Sequence, residues 1–346
     1  MAKRAYGPYR VSILDIAARA GVSPSTVSRV FNNPDLVQAD TRAAVLSIAN
    51  KSGYRPNASA RTLRTQRSRV LGIVLPTLEN PVFAECLQGI ASATAAQSYT
   101  IMPFTTDYKV ESEEEAVERL LAFGVEGMLL VVSDADSSAA LQRLRAADLP
   151  YVLIYNRHEK HPCVSVADDE AMQEIVGGLV RLGHRRIGMV CGRLGASDRA
   201  QRRCTGFQKA ARQANLDSVT ILEVPFMDTA ISEISAILHR HDRPTALVCS
   251  NDLIAIRAMR AAHECQFSVP QDLSITGFDG IRIGSDLAPR LSTVAQPNSK
   301  MGSEAVDWLV RSVEQGRLPD ARDSLILPYA IQWTESSAPP SPTLNQ

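Results

Sequence analysis

Two sets of residues in this chain have the chemistry to recognise another molecule. The first is a run of small polar groups ending in a guanidinium. In Pro24-Ser25-Thr26-Val27-Ser28-Arg29-Val30-Phe31 the apolar Val27, Val30 and Phe31 fall on one side of a helix, which turns Ser25, Ser28 and Arg29 to another. An arginine presented in this way can hold a guanine edge through two hydrogen bonds, worth about 1–3 kcal/mol of discrimination. The second set is spread along the chain in loops that follow apolar runs. It comprises Thr77, Asn80 and Phe83, then Tyr155-Asn156-Arg157, the stretch from Arg199 through Arg203 to Phe207, Phe226, Asn251-Asp252, Asp279 and Gln296. Asp and Asn suit paired hydroxyls, Arg suits ring oxygens or a carboxylate, and Phe83 or Phe226 can stack on the apolar face of a sugar.

Short helices must position the first set. Ser12 can cap a helix through Ala20, Gly21 permits the left-handed turn that ends it, and Ser23 with Pro24 starts the next. That second helix stops near Asn32-Asn33-Pro34. A third fits Thr41 to Lys51, with Ala44, Val45, Ile48 and Ala49 facing the first two. Two such helices around a glycine turn match the geometry that enters a DNA major groove, although plain helical hairpins share the pattern.

The second set needs a larger frame. From Arg69 onward, apolar runs alternate with amphipathic helices. Strands are expected at Val70–Leu75, Thr100–Phe104, Gly127–Val132, Tyr151–Tyr155, Arg186–Val190, Ile221–Val224, Ala246–Cys249 and Leu273–Gly277. This alternation makes an α/β body with parallel sheets, and eight strands suit a barrel as well as an open sheet. In open parallel sheets ligands sit where loops converge at the carboxyl ends of the strands. Asp252 also has a plainer role available as a helix cap, Asn80 as a turn residue before Pro81, and Ser23 as a cap only.

Charge and composition narrow the function. The net charge is zero, yet residues 1–69 hold 12 Lys/Arg against 3 Asp/Glu, a net of +9. One end suits a polyanion and the body does not. The six cysteines are scattered without a Cys-x-x-Cys pair, which fits a reducing cytoplasm, and the six histidines lack ligand spacing. No metal and no cofactor is expected. No apolar run approaches a membrane span, and the basic N-terminus lacks the apolar core of a secretory signal. Phosphate-cradling glycine motifs, His-Glu-x-x-His and the nucleophile elbow are missing, which points away from an enzyme.

Val11-Ser12-Ile13-Leu14-Asp15-Ile16-Ala17 through Gly21-Val22-Ser23-Pro24-Ser25-Thr26-Val27-Ser28-Arg29-Val30, with Gly53-Tyr54-Arg55-Pro56-Asn57-Ala58-Ser59-Ala60-Arg61-Thr62-Leu63, closely resembles the LacI/GalR family of transcriptional regulators. The resemblance runs through about residues 11–335. It implies a helix-turn-helix domain over 11–56 in which Pro24, Ser25 and Arg29 read bases, while Thr26, Ser28, Asn32 and Tyr54 hold phosphates. It implies a hinge helix and linker over 57–69, with Leu63 as a minor-groove wedge, Asn57 and Ala60 beside it, and Arg61 and Arg64 on phosphates. Residues 70–335 then form an effector-binding and dimerisation domain of periplasmic-binding-protein type. Its two doubly wound lobes exchange near Ala167, Gln296 and Leu327. Residues 336–346 read as a disordered tail.

The same resemblance puts Arg203, Asn251, Asp279 and Gln296 at effector-binding positions. Many relatives carry Asp in the loop after the Tyr151 strand, where this chain has Asn156-Arg157. Replacing an acid with a base suits a sugar acid, and the stretch Leu75–Glu85 resembles the gluconate-repressor branch. The resulting expectation is a cytoplasmic, nucleoid-associated homodimeric repressor of a near-palindromic operator, released by a sugar or sugar acid. A corepressor-dependent regulator and a free cytoplasmic sugar-binding protein are the alternatives.

Overall fold

In a computed structural model of the chain, residues 11–55, 67–216, 218–226 and 228–341 are described. They divide into two units, Met1–Ser68 and Arg69–Gln346.

Among the described residues the first unit has three helices on a small core. Helix α1 (Ile13–Ala20) opens with a capping box: Ser12 Oγ accepts from the Asp15 amide, and the Asp15 carboxylate accepts from the Ser12 amide at 2.8 Å. Gly21 closes the helix at φ 64°, a left-handed turn that costs glycine little. Helix α2 (Pro24–Asn32) starts on Ser23, whose Oγ accepts from the Thr26 amide at 3.1 Å, with Pro24 in the first position. Helix α3 (Ala39–Lys51) completes the unit. Ile16, Ala17, Val27, Val30, Val45 and Ala49 form its buried centre. Ala44 does not face that centre, contrary to expectation: it is exposed, because it lies about 100° around the helix from Val45.

The described residues of the second unit form twelve strands in two six-stranded sheets. The strands are β1 (Val70–Leu75), β2 (Thr100–Thr105), β3 (Gly127–Leu130), β4 (Tyr151–Ile154), β5 (Cys163–Ser165), β6 (Arg186–Gly192), β7 (Ser218–Val224), β8 (Ala246–Cys249), β9 (Ser274–Asp279), β10 (Ser292–Ala295), β11 (Leu325–Ile326) and β12 (Ala330–Gln332). The first sheet, ordered β11-β5-β4-β3-β1-β2, is wholly parallel. The second, β12-β10-β9-β8-β6-β7, is parallel except for the β12 edge. Two open sheets decide against a barrel. Strands such as Leu71–Leu75 are buried throughout, as helices on both faces of a parallel sheet require.

Eight helices cover the sheets: α4 (Pro81–Ala96), α5 (Val110–Ala122), α6 (Ala139–Ala146), α7 (Asp168–Arg181), α8 (Asp198–Gln213), α9 (Ile231–Leu238), α10 (Asp252–Glu264) and α11 (Asn298–Glu314). The chain changes sheet between β5 and β6, again between β10 and β11, and a last time between β11 and β12. Helices α4 and α11 cross closely where Gly89 meets Ser299 and Gly302 meets Cys86; a Cβ on Gly89 would lie 2.0 Å from the Ser299 carbonyl oxygen.

Two expectations fail here. Strands β5, β10, β11 and β12 were not among those expected, because β5, β11 and β12 are only two or three residues long and β10 opens on Ser292-Thr293 with no apolar run. The polar stretch from Ser336 is no loose tail over its described part. Ser336 is fully buried: its amide donates to the Arg290 carbonyl at 2.9 Å, its hydroxyl donates to the Ile275 carbonyl at 2.6 Å, and its carbonyl accepts from the Ile275 amide at 2.8 Å. The Ala338 carbonyl accepts from Ser274 Oγ at 3.0 Å and makes a 2.9 Å bond with His184 Nε2. Composition registers how little apolar area such a segment can bury, but it is blind to backbone pairing with a neighbouring strand.

Candidate functional site

In the first unit the capping hydroxyls shape the exposed face of α2. Ser23 Oγ lies 2.7 Å from Ser25 Oγ and 2.8 Å from Thr26 Oγ1, so the start of the helix presents a cluster of hydroxyls. Pro24, Ser25, Arg29 and Asn32 are exposed, while Thr26 and Ser28 are half-buried. Asn32 Nδ2 donates to the Ser28 carbonyl at 2.6 Å, which fixes its amide beside that hydroxyl row. Tyr54 packs its ring against Phe31 at 5.6 Å between centroids, and burial raises its phenol pKa. The result is a face of small donors with one guanidinium, on a helix held rigid by its core. Asn57, Ala60, Arg61, Leu63 and Arg64 lie outside the described residues.

In the second unit a narrow cleft of about 30 Å3 opens between the lobes. The first lobe contributes Asn80 and Phe83 from the start of α4, Tyr108 from the loop after β2, and Tyr155 from the end of β4. The second contributes Arg199 and Arg203 from α8, Phe226 after β7, Asn251 before α10, and Asp279 at the end of β9. Tyr108 and Phe226 stack across the cleft, 4.3 Å apart and 6° from parallel. Each position is at or just beyond the carboxyl end of a strand, or at a helix start, as the topology demands.

Arg203 organises the floor. Its Nε donates to Asp168 Oδ1 at 2.7 Å, and its Nη1 donates to the Ser250 carbonyl at 2.6 Å and to Asp279 Oδ1 at 3.1 Å. Its guanidinium carbon stands 3.7 Å from the centre of the Phe278 ring. Burial pushes the Asp279 carboxyl up to about 6, with Arg203 pulling the other way. Asp279 also sits at φ 118°, a strained backbone for a residue with a side chain, immediately before Gly280. Gly277 is required beneath it, since a Cβ there would lie 2.1 Å from Asp252 Oδ1.

Several expected cleft residues support the site without lining it. Gln296 Nε2 donates to Asp279 Oδ1 at 2.8 Å. Asn156 is buried, binding Val132 through both its amide atoms and donating to Asp198 Oδ1 at 2.9 Å. Thr77 is buried and its Oγ1 accepts from the Glu79 amide. Arg157 faces Asp169 at 3.5 Å instead of the cleft. Neither membership of a loop nor, for Gln296, resemblance says which way a side chain points. The capping role expected of Asp252 belongs to Asn251, whose Oδ1 accepts from the Ile254 amide at 2.7 Å. Asp252 binds the Ile281 amide and the Thr293 hydroxyl. Asn80 both lines the cleft and caps α4.

Tyr108 was missed altogether, and Arg199 was noted only within its segment. The loop Thr106–Lys109 follows β2 just as the chosen loops follow their strands, so the same rule finds Tyr108.

Hydrogen bonds tie the lobes on both sides of the cleft. The Asp198 amide donates to the Ser133 carbonyl at 2.9 Å, and Arg199 Nη1 donates to the Val132 carbonyl at 3.0 Å. Across the cleft, Glu85 of α4 accepts from the Arg282 amide at 3.0 Å.

Comparison with known proteins is consistent along the chain. Residues 12–57 match the profile of the lacI family of bacterial regulatory proteins, and residues 176–337 match a periplasmic binding protein-like domain. The chain is 32% identical over 313 residues to the HTH-type transcriptional regulator GntR of Escherichia coli (strain K12), covering 88% of this chain and 92% of that protein. It belongs to the LacI family. The HTH-type transcriptional regulator MalR of Streptomyces coelicolor is 33% identical over 340 residues, covering 94% of this chain and 97% of its own. A crystal structure of the lac repressor dimer bound to operator and the anti-inducer ONPF superposes with a TM-score of 0.85 at 25% identity, covering 95% of this chain and all of that one. As a LacI-family member this protein is a DNA-binding transcriptional regulator and not an enzyme. No helix among the described residues is long and apolar enough to cross a membrane.

Proposed function

We propose that this LacI-family regulator is a repressor that binds a near-palindromic operator as a homodimer and releases it when a sugar-sized, hydroxyl-rich molecule fills the cleft. The observation that carries the reading is the cleft itself: paired aromatic rings, a buried Arg203–Asp279 pair and several amide and hydroxyl groups converge from two lobes. A ligand there touches both lobes at once, so it binds one interlobe arrangement better than another, which is what coupling to a distant site requires. In this reading Pro24, Ser25 and Arg29 contact base edges, and Thr26, Ser28, Asn32 and Tyr54 contact phosphates. On sequence resemblance Leu63 is assigned to the minor groove with Asn57 and Ala60 beside it, and Arg61 and Arg64 to phosphates. A two-fold operator and a dimer follow from the need to present two α2 helices one helical turn apart; the lac repressor neighbour is a dimer on its operator.

The test is operator affinity at fixed salt, using DNA from upstream of the protein's own gene, with and without a panel of sugars and sugar acids. Selective binding that one compound weakens about 5- to 150-fold supports the proposal. Binding strengthened by the compound reverses the switch, and no selective binding refutes the regulator's proposed target.

A further inference from the structure

We infer that the effector carries a carboxylate and that Arg199 is the residue that reads it. The inference rests on the cleft being the effector site. Arg199 and Arg203 reach the cleft from successive turns of α8, but they are not equivalent. Arg203 is already bound by two carboxylates, Asp168 and Asp279, and its plane covers Phe278. Its charge is already matched by those two carboxylates, and with Nε and Nη1 engaged only Nη2 holds no hydrogen bond among the described residues, so it presents no pair of idle donors to a third carboxylate.

Arg199 is differently placed. It uses one nitrogen, Nη1, for both its bonds, to the Val132 carbonyl at 3.0 Å and to Asp198 Oδ1 at 3.1 Å. Its Nε and Nη2 hold no hydrogen bond within the described residues, though the side chain is only 7% exposed. Those two N–H groups lie on one edge of the planar fork, at the spacing of the two oxygens of a carboxylate. Its ion-pair partner is also shared, because Asp198 Oδ1 accepts from Asn156 at 2.9 Å, and burial raises the Asp198 carboxyl pKa. A guanidinium half unused in a buried site is costly unless a ligand takes the idle edge.

Asn80, Tyr108 and Ser250 line the same space and offer amide and hydroxyl groups to a ligand's hydroxyls. The ligand class is therefore a small hydroxy acid with its carboxylate against α8. The basic residue suggested by sequence, Arg157, is engaged with Asp169 and does not line the cleft. Because Arg199 Nη1 bonds to the first lobe, a carboxylate on the opposite edge of its fork bears directly on an interlobe contact.

The experiment is calorimetry on the full chain with six-carbon aldonates and the matching neutral aldoses, beside operator release by the same compounds. At least one acid should bind wild type roughly 10- to 100-fold more tightly than its neutral partner, the worth of one charge-assisted pair. Arg199→Gln should bring that ratio, measured within the variant, close to one. Arg199→Lys, which keeps charge without the fork, should lower the ratio and provides the answer if the glutamine variant does not fold. Arg157→Ala should leave it unchanged. A ratio that survives both Arg199 substitutions overturns the inference. A neutral sugar that binds as well as its acid and releases operator also overturns it, yet keeps the cleft as effector site. Binding of neither class, with operator affinity intact, overturns both.

Discussion

Arg29 and Arg203 are the same side chain put to opposite uses. Arg29 stands exposed on α2, and the unit beneath it has a core of only a few small side chains. Arg203 is buried under Phe278 and bound to two carboxylates that come from a crossover helix and a strand end. An exposed guanidinium keeps its donors for a partner and contributes little to folding. A buried one must first satisfy the structure, and its ligand-facing role is what remains after those bonds are made. The comparison separates binding from stability, and substitutions can test how cleanly.

The largest effect is expected at Arg203. Arg203→Leu leaves Asp168 and Asp279 buried without their counter-ion, and should destabilise the body by about 3–5 kcal/mol in denaturant unfolding. A small loss would mean the two acids share a proton instead of depending on Arg203. Arg29→Ala should weaken specific operator binding by about 1–3 kcal/mol and relax the preference at one base pair, with stability unchanged within about 0.5 kcal/mol. If unfolding shifts instead, Arg29 belongs to the fold and the contrast fails.

The smallest effect concerns pH, and it too divides the units, since all six histidines lie beyond residue 157. Burial, with the nearby Arg145 charge, pushes His161 down to about 4, while Tyr151 hydrogen-bonds its Nδ1 at 2.7 Å. Its folded pKa lies below the usual 6.5, so the unfolded chain takes up the proton first. The stability it contributes is present above pH 6.5 and is lost as pH falls toward 4. Asp279, raised to about 6, acts in the opposite direction and adds stability as pH falls through 6. The difference between wild type and His161→Gln isolates the histidine: wild type should lose about 1 kcal/mol more between pH 6.5 and 4. Matching slopes would remove His161 from the acid response.

Much of this was legible from residue order alone. The helix starts at Ser12 and Ser23, the turn at Gly21 and the reading face of α2 are local: caps, turns and one helical period involve residues three or four apart. The strand–helix alternation of the body and most of its longer strands were equally readable, because apolar runs of four or more residues bounded by polar ones leave a pattern. What could not be read depends on which distant groups meet. Nothing near Gln296 announces that it serves Asp279, nothing near Asn156 that it reaches Asp198, and the polar residues after Glu335 give no hint that Ser336 closes against Ile275. By itself the sequence determined the family, the two-lobed α/β class and the DNA-reading helix, since each rests on contiguous pattern. Only the tertiary structure decided which arginine keeps a free edge in the cleft, because burial and counter-ions come from segments far apart in the chain, and they determine what a charge still has to offer.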